Sequence, residues 1–544
     1  MMKKIIKNIK IFAALLVLVG CETTNFDLQE NPNFLTPENA NPEFLLNEIQ
    51  YLFQDIVSDM ILNSDDVMRY EAMTSSYGDI VDVNVLNVEW ERFYEAVNIS
   101  KTIDNLASQN SNYLYHNAVN KLLMGYLTIT MVDYVGDIPY SQAGNPLEFP
   151  NPKSDSSVDL YKMVLTNIDQ SIIDINNATV DVRDLFYSGD KENWVAFANT
   201  LKLRILVQAK LASAEIGVSD LQGEINSLLN KNIIDAPSED FVWKYANGVD
   251  EPESRHPYFR RAYVSSFSQY IGNQFMWMLK DSKSVRDPRI RYYLYRQDDR
   301  DPFSGPPYLA CQGDPSVDYC YVGDHYWGLD HGESRTGRGD NLFRTTYGIY
   351  PGGGSLDQDF FVNAPSTTSP ENPAGSLPNL NGQGILPILT SSFVKFLRAE
   401  AALTITGVNG NTEILLEEGV RESIDKVTSF GGQSFSLSPT NTDIENYVTE
   451  VKNNYTNAAD TNAKLDVIMT EYYLAAFGNS IEAYNAYRRT GFPSMLQVPI
   501  DDDNPTFPRS FRYSKTAVDR NTSLNQKSIT EKIFWDTNPD NFIK

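Results

Sequence analysis

The sequence predicts a mainly α-helical protein, a tetratricopeptide-like helical superhelix with one long loop-rich insertion. Three observations carry this. Apolar residues recur at spacings of three and four in segment after segment, as one face of a helix requires. Alternating strand patterns are scarce. One region breaks the pattern: residues 301–384 hold 14 Gly and 9 Pro in 84 positions, against 31 and 27 in all 544. Such a stretch forms loops and turns rather than long helices.

Taken in order, the chain opens with an export signal. Lys3, Lys4, Lys7 and Lys10 precede the apolar run Ile11 to Val19, which is well short of the roughly 20 residues a bilayer-crossing helix needs. The run ends Leu18-Val19-Gly20-Cys21, which resembles a bacterial lipobox with Cys21 as the lipidated residue. Residues 1–20 are therefore read as a lipoprotein signal peptide and 21–43 as a polar, proline-bearing tether. From about Phe44 to residue 544 runs one helical domain, with its loop-rich region at about 285–385. Ser156-x-x-Asp159 is a capping box; it opens a stripe of Tyr161, Val164, Leu165, Ile168, Ile172 and Ile175. Further stripes are Trp194-Phe197-Leu201-Ile205, Leu416-Val420-Ile424-Val427 and Leu465-Ile468-Met469-Tyr472-Ala476, the last stopped by Gly478. Antiparallel helix pairs joined by short loops suggest the superhelix, although no strict 34-residue repeat is visible.

Composition narrows function. With 42% hydrophobic residues the chain can bury a large core. Lys+Arg number 45 against Asp+Glu 71, a net charge of −26; loss of residues 1–20 removes four lysines and makes it −30. A body this acidic repels phosphate backbones, which argues against a nucleic-acid partner. There is no HExxH, no Gly-x4-Gly-Lys-Ser/Thr and no Gly-x-Ser-x-Gly, and only four histidines. Multi-imidazole catalysis and zinc chemistry are thereby disfavoured, and no cofactor or metal site is expected. A paired-carboxylate glycosidase is compatible with the composition, but no spacing singles out a pair.

The loop-rich region concentrates the candidate binding residues. Cys311 and Cys320, in an exported chain, are expected to form a disulfide; the alternative is two unpaired buried thiols. Tyr293, Tyr321, Tyr326 and Trp327 belong to an aromatic surplus with no periodic stripe to bury it, which places ligand or partner recognition in Tyr292–Tyr350. An indole beside a phenol in a loop is either a stacking platform for a sugar ring or peptide side chain, or a seal over the loop. Trp90, Trp194 and Trp243 lie in helical or near-helical patterns and read as core. Asp324 to Glu333, with His325 and His331, reads as a polar hydrogen-bonded loop rather than an ion site. Arg338-Gly339-Asp340 reads as a chance tripeptide, and Asp501-Asp502-Asp503 as a solvated turn.

Several segments together resemble the SusD/RagB family of outer-membrane lipoproteins. Asp133-Tyr134-Val135-Gly136-Asp137-Ile138-Pro139-Tyr140-Ser141-Gln142-Ala143 is similar to its D-x-x-G-D-x-P-Y-S-x-A hallmark, and Trp194 to Arg204 to its W-x-x-F-A-N-S-L-K-L-R helix. Leu386-Pro387 through Phe393 to Ala399-Glu400-Ala401 resembles a third motif, with Ser391-Ser392 in place of the usual glutamate. Ile481 to Pro493 resembles a fourth, and Phe507 to Tyr513 with Asn521 and Asn525 the C-terminal ending. Thr470-Glu471 departs from the family's Gln-Lys. The resemblance spans essentially the whole chain. It implies the SusD-like fold, a lipid-anchored position at the outer-membrane surface, and a non-enzymatic lid. Such a lid captures oligosaccharide or peptide for a TonB-dependent SusC-like barrel, and the resemblance also allows further surface lipoproteins as partners. The alternative is an accessory, scaffolding subunit of a larger outer-membrane machine that inserts or exports proteins. The hallmark segments are implied to be structural, and no ligand residue transfers by motif.

Overall fold

A computed structural model describes residues 40–250, 252–265, 269–299, 302–304, 309, 311–334, 343–359, 379–432, 435–501 and 506–544. The expected signal peptide, Cys21, most of the expected tether and Arg338-Gly339-Asp340 lie outside the described residues. Helices of six residues or more are α1 Pro42–Asp65, α2 Asn87–Gln109, α3 Leu114–Val135, α4 Ser157–Asn177, α5 Lys191–Gln208, α6 Leu221–Leu229, α7 Asn273–Lys280, α8 Ser391–Thr404, α9 Thr412–Thr428, α10 Asn441–Thr456, α11 Thr461–Ala475, α12 Ser480–Thr490 and α13 Lys515–Arg520. The domain thus starts two residues before the expected Phe44. Asn41 caps α1 by accepting from the Glu43 amide at 2.9 Å, and Pro42 takes the first turn, where a missing N–H costs nothing. At α4 the Ser156 half of the predicted box forms: the Asp159 amide donates to Ser156 Oγ at 3.1 Å.

The helices form two packed groups. α1 through α5 pack on one another in sequence, and α8 through α11 do the same. α12 touches α1, α5 and α11, and α8 touches α5, which joins the groups. A short antiparallel ribbon, β1 Phe241–Lys244 with β4 Ile385–Leu389, spans the same junction, pairing Trp243 with Leu386 and Phe241 with Leu389. Phe241 lies 4.0 Å from Phe197 and 4.3 Å from Phe186, ring centre to ring centre, beside the buried Trp194. Burying each such ring contributes roughly 1.5–3 kcal/mol. Among the described residues of the loop-rich region, regular structure before β4 is limited to one helical turn, Ile290–Tyr293, and a two-residue ladder, β2 Leu294–Tyr295 with β3 Thr346–Tyr347.

The hallmark residues hold the junction together. Asp133 is fully buried and accepts from Tyr161 Oη, from Asn485 Nδ2 at 2.8 Å and from Trp535 Nε1 at 2.8 Å. One carboxylate therefore ties α3 to α4, α12 and the C-terminal segment. Arg204 pairs with Glu482 at 2.6 Å, and Tyr472 Oη donates to the same carboxylate at 3.0 Å. Arg489 and Lys210 reach Glu400 at 2.7 and 2.9 Å. Burial alone would raise the Glu400 carboxyl; the two cations overcome it and hold it at about 2. Glu471, where the motif departs, joins a buried ionic cluster with Lys283 at 2.9 Å, Arg289 at 3.3 Å and Tyr447 at 3.0 Å. The departure keeps its place in the core by charge pairing.

Candidate functional site

The structure places most of the predicted loop aromatics indoors. Tyr293 is buried against Phe477, 4.7 Å between ring centres, and its hydroxyl donates to the Leu474 carbonyl at 3.0 Å. Tyr326 is buried under the Arg296 guanidinium, 4.9 Å above its ring. Trp327 is 2% exposed, packed with Leu309, Cys311 and Phe343. Tyr321 is half-buried at the margin of that cluster and accepts the His325 amide at 2.8 Å. Cys311 and Cys320 are joined in a disulfide beside Trp327. The expectation that Trp327, Tyr326 and Tyr293 face a ligand is therefore corrected. Trp327 closes a small second core with Leu309, Cys311 and Phe343, whereas Tyr293 and Tyr326 join the main core.

The polar loop is likewise structural. Asp330 accepts from Asn273 Nδ2 at 2.7 Å, the Tyr319 amide at 2.9 Å and Gln497 Nε2 at 2.9 Å. His331 meets Tyr77 Oη at 3.1 Å, and burial drives its imidazole well toward the neutral form. No cluster of three or more His, Cys, Asp or Glu suited to a metal occurs among the described residues. Asp501 accepts the Ser334 amide at 2.8 Å and so caps that loop; Asp502 and Asp503 lie outside the described residues.

A surface cavity lies elsewhere, between α1, α2 and the 252–265 segment. It measures about 690 Å³. α1 contributes Gln54, Asp55, Ser58, Asp59 and Leu62, one face of the helix opposite its core stripe; α2 contributes Arg92, and the segment after β1 contributes Tyr245, Glu253, Arg255 and Arg260. Arg92 lies 2.5 Å from Asp59 and 3.7 Å from Asp55. Burial raises both carboxyls, and Arg92 works against it. Gln54 Nε2 donates to Tyr245 Oη at 2.8 Å, fixing the phenol in the wall. Arg260, with its side chain 48% exposed, leans toward Glu253 at 3.9 Å. The arrangement offers carboxylate acceptors and guanidinium donors side by side over an aromatic wall, the set that hydroxyls and amides of an uncharged polar ligand require.

A second recess of about 450 Å³ shares Leu62, Arg261 and Gln269 with the first and adds Asp66, Asp79, Asp82 and Asn84. Behind it lie Asp65 and Glu71, both buried, with Arg261 3.2 Å from Glu71 as the nearby cation. Burial, then the Glu71 charge, pushes Asp65 up to about 8; Tyr258 Oη donates to it at 2.8 Å. Sequence reasoning did not find this cleft. Its residues come from three separated stretches with no motif. The one available signal was the polar face of α1 at 54, 55, 58 and 59.

Comparison with known proteins fits this geometry. A model for SusD-like proteins, described as starch-binding and associating with the outer membrane, matches residues 32–317. A second, for the SusD and RagB outer-membrane lipoproteins, matches 363–533. The chain belongs to the SusD-like family. Its fold is shared with a protein named only as chitin-binding (20% identity, TM-score 0.64, 92% of this chain and 100% of the other). A chitin-binding SusD homologue from Flavobacterium johnsoniae is similar at 19% identity and TM-score 0.60, over 93% of this chain and 98% of the other. A SusD homologue from Bacteroides fragilis is similar at 15% identity and TM-score 0.63, over 88% and 94%. No curated protein matches. No helix among the described residues is long and apolar enough to cross a membrane.

Proposed function

We propose that this chain is a cell-surface glycan-binding lipoprotein, anchored through Cys21, that hands oligosaccharide to a partner outer-membrane barrel. The observation that carries the reading is the α1–α2 cleft. Its exposed Arg and Asp side chains sit beside Tyr245 in a volume of about 690 Å³, room for a short oligosaccharide. The family membership and the two chitin-binding relatives support the ligand class. The role is read as binding rather than turnover, in keeping with the family membership. Calorimetry of the purified protein with chito-oligosaccharides, starch oligosaccharides and short peptides tests it. Micromolar binding of one glycan series, about −8 kcal/mol, is expected. Absence of glycan binding, with the native detergent-solubilised protein held in a large multi-protein assembly, would sink this reading in favour of a scaffolding subunit.

A further inference from the structure

A second surface lies on the other side of α2, and it is built for protein rather than sugar. A groove of about 640 Å³ runs between α2, the hallmark loop and α13; its walls include Ile99, Pro139, Pro150, Pro152 and Leu524. Trp90 and Tyr94 form its floor, but Trp90 is only 7% exposed, with Tyr94 and Tyr513 packed 5.3 and 5.9 Å away. The Trp90 indole is thus covered and offers little face for a sugar to stack on. Beside the groove, Leu147 is 98% exposed, the most exposed large apolar residue among those described.

Leu147 is not on a loose loop. The Tyr140 and Ser141 amides donate to Asp155 at 2.7 and 2.8 Å, Lys101 Nζ donates to the Ala143 carbonyl at 2.6 Å, and the Phe149 amide closes the turn on Asn145 at 2.8 Å. A leucine held in water by a braced turn, next to an apolar groove, marks a contact surface. The charges on the rim indicate what fits it. Glu91 and Glu95, one helical turn apart on α2, line the groove and form no ion pair within 4 Å among the described residues; Arg520 is the one cation that lines the groove with them. By contrast Asp104 on the same helix pairs with Lys121, and Arg92 with Asp59.

We propose that this groove and Leu147 form the docking surface for a second protein, engaged through a loop that carries an apolar side chain flanked by Lys or Arg. The proposal deepens the reading above by assigning the barrel-facing surface, and it rests on that reading for the identity of the partner. α2 is then the shared wall: Arg92 faces the glycan cleft and Glu91 and Glu95 face the partner.

The test uses the full-length lipoprotein in its own outer membrane, with a photoreactive benzoylphenylalanine at Leu147 and, as a control, at the exposed Ile414 on α9. Expected is a crosslink from position 147, absent from 414, to an extracellular loop of one outer-membrane barrel, at a peptide containing an apolar residue beside Lys or Arg. Leu147→Glu, and separately Glu91→Lys with Glu95→Lys, should cut co-purification of that barrel by about tenfold or more, while glycan titration of the purified variants stays as in the parent. No crosslink, equal crosslinking from 414, crosslinking only to glycan, or unchanged co-purification overturns the docking surface. A protein that crosslinks to the barrel but binds no glycan overturns the glycan reading and leaves this one standing.

Discussion

The loop-rich region around Trp327 and the α1–α2 cleft sort their side chains in opposite ways. In the first, a glycine- and proline-rich segment buries Trp327 and Tyr326, with Tyr293 in the short helical turn just before it, and its polar groups bond to the surrounding scaffold, as Asp330 does with Asn273 and Gln497. In the second, two regular helices bury their apolar stripes in the usual way and turn Asp55, Asp59 and Arg92 outward into a cavity. An aromatic residue in a loop is therefore weak evidence for a binding face. A loop this long buries its rings, partly in a small core of its own around Trp327 and partly in the main core. The rigid helical pair can afford to leave charge half-exposed, because its stability is settled elsewhere.

The largest effect is expected at the junction beneath both regions. Arg204→Ala should cost about 3–5 kcal/mol, because it leaves Glu482 buried with Tyr472 but without its cation. Denaturant unfolding measures it. A loss under about 1 kcal/mol would mean that this pair does not lock the two helix groups together. Trp327→Ala should cost about 3 kcal/mol or more through the cavity it leaves among Leu309, Cys311 and Phe343. Glycan affinity per folded molecule should stay unchanged. A variant that keeps its melting temperature and loses affinity would restore the loop as the recognition surface.

Replacing Cys311 and Cys320 together by serine sharpens the same contrast. The linked residues are nine apart in sequence, so the closed loop should contribute very roughly 2–3 kcal/mol. Faster proteolysis within 311–334, with no change in glycan titration, is the expected result. Equal proteolysis of the two proteins would show that the loops are held by packing alone.

The helical architecture was legible because burial at 3.6-residue spacing leaves a periodic trace. The stripe of Trp194, Phe197, Leu201 and Ile205 is buried throughout, and the Ser156 cap forms as its spacing implied. The Asp133 and Arg204 segments were legible as motifs, since a buried polar group that ties several elements together tolerates few replacements. The cleft was not legible. Asp55, Arg92 and Arg260 lie far apart in sequence, and their convergence depends on how α1 and α2 pack and on where the β1–β4 ribbon delivers the 252–265 segment. Solvent-facing charges on a helix look the same in sequence whether they meet across a cavity or face open water.

A different kind of effect is expected from pH. Asp65 is held at about 8 by burial and by the neighbouring Glu71, far above its value in an unfolded chain. The folded state then binds the proton more tightly than the unfolded state. Stability is complete below the unfolded value near 4 and declines as pH rises toward 8, by up to about 1.4 kcal/mol per pH unit. Asp65→Asn removes the ionisation while retaining an oxygen for Tyr258. The variant should lose part of the parent's slope between pH 5 and 8 and exceed it in melting temperature at pH 8. Parallel curves for the two proteins would mean that Asp65 is ionised and compensated in the folded state.

The smallest effect is the one on which the functional reading depends. Arg92 sits at the rim of the cleft with its side chain 34% exposed, and its partners Asp59 and Asp55 are 32% and 45% exposed. A pair this open to water adds at most about 1 kcal/mol to stability, so Arg92→Ala should shift the melting temperature little. In a glycan complex the same guanidinium becomes a donor to ligand oxygens, and the carboxylates it releases lose their positioning. Affinity should fall by about tenfold, or 1.4 kcal/mol. Arg92→Lys should recover only part of it, because an ammonium does not reproduce the planar fork that spans Asp55 and Asp59. Titration of the parent and both variants with the same oligosaccharide reads this directly. Equal affinity in all three would remove the α1–α2 cleft as the binding site, even with the fold, the family and the disulfide-tied loop left as described.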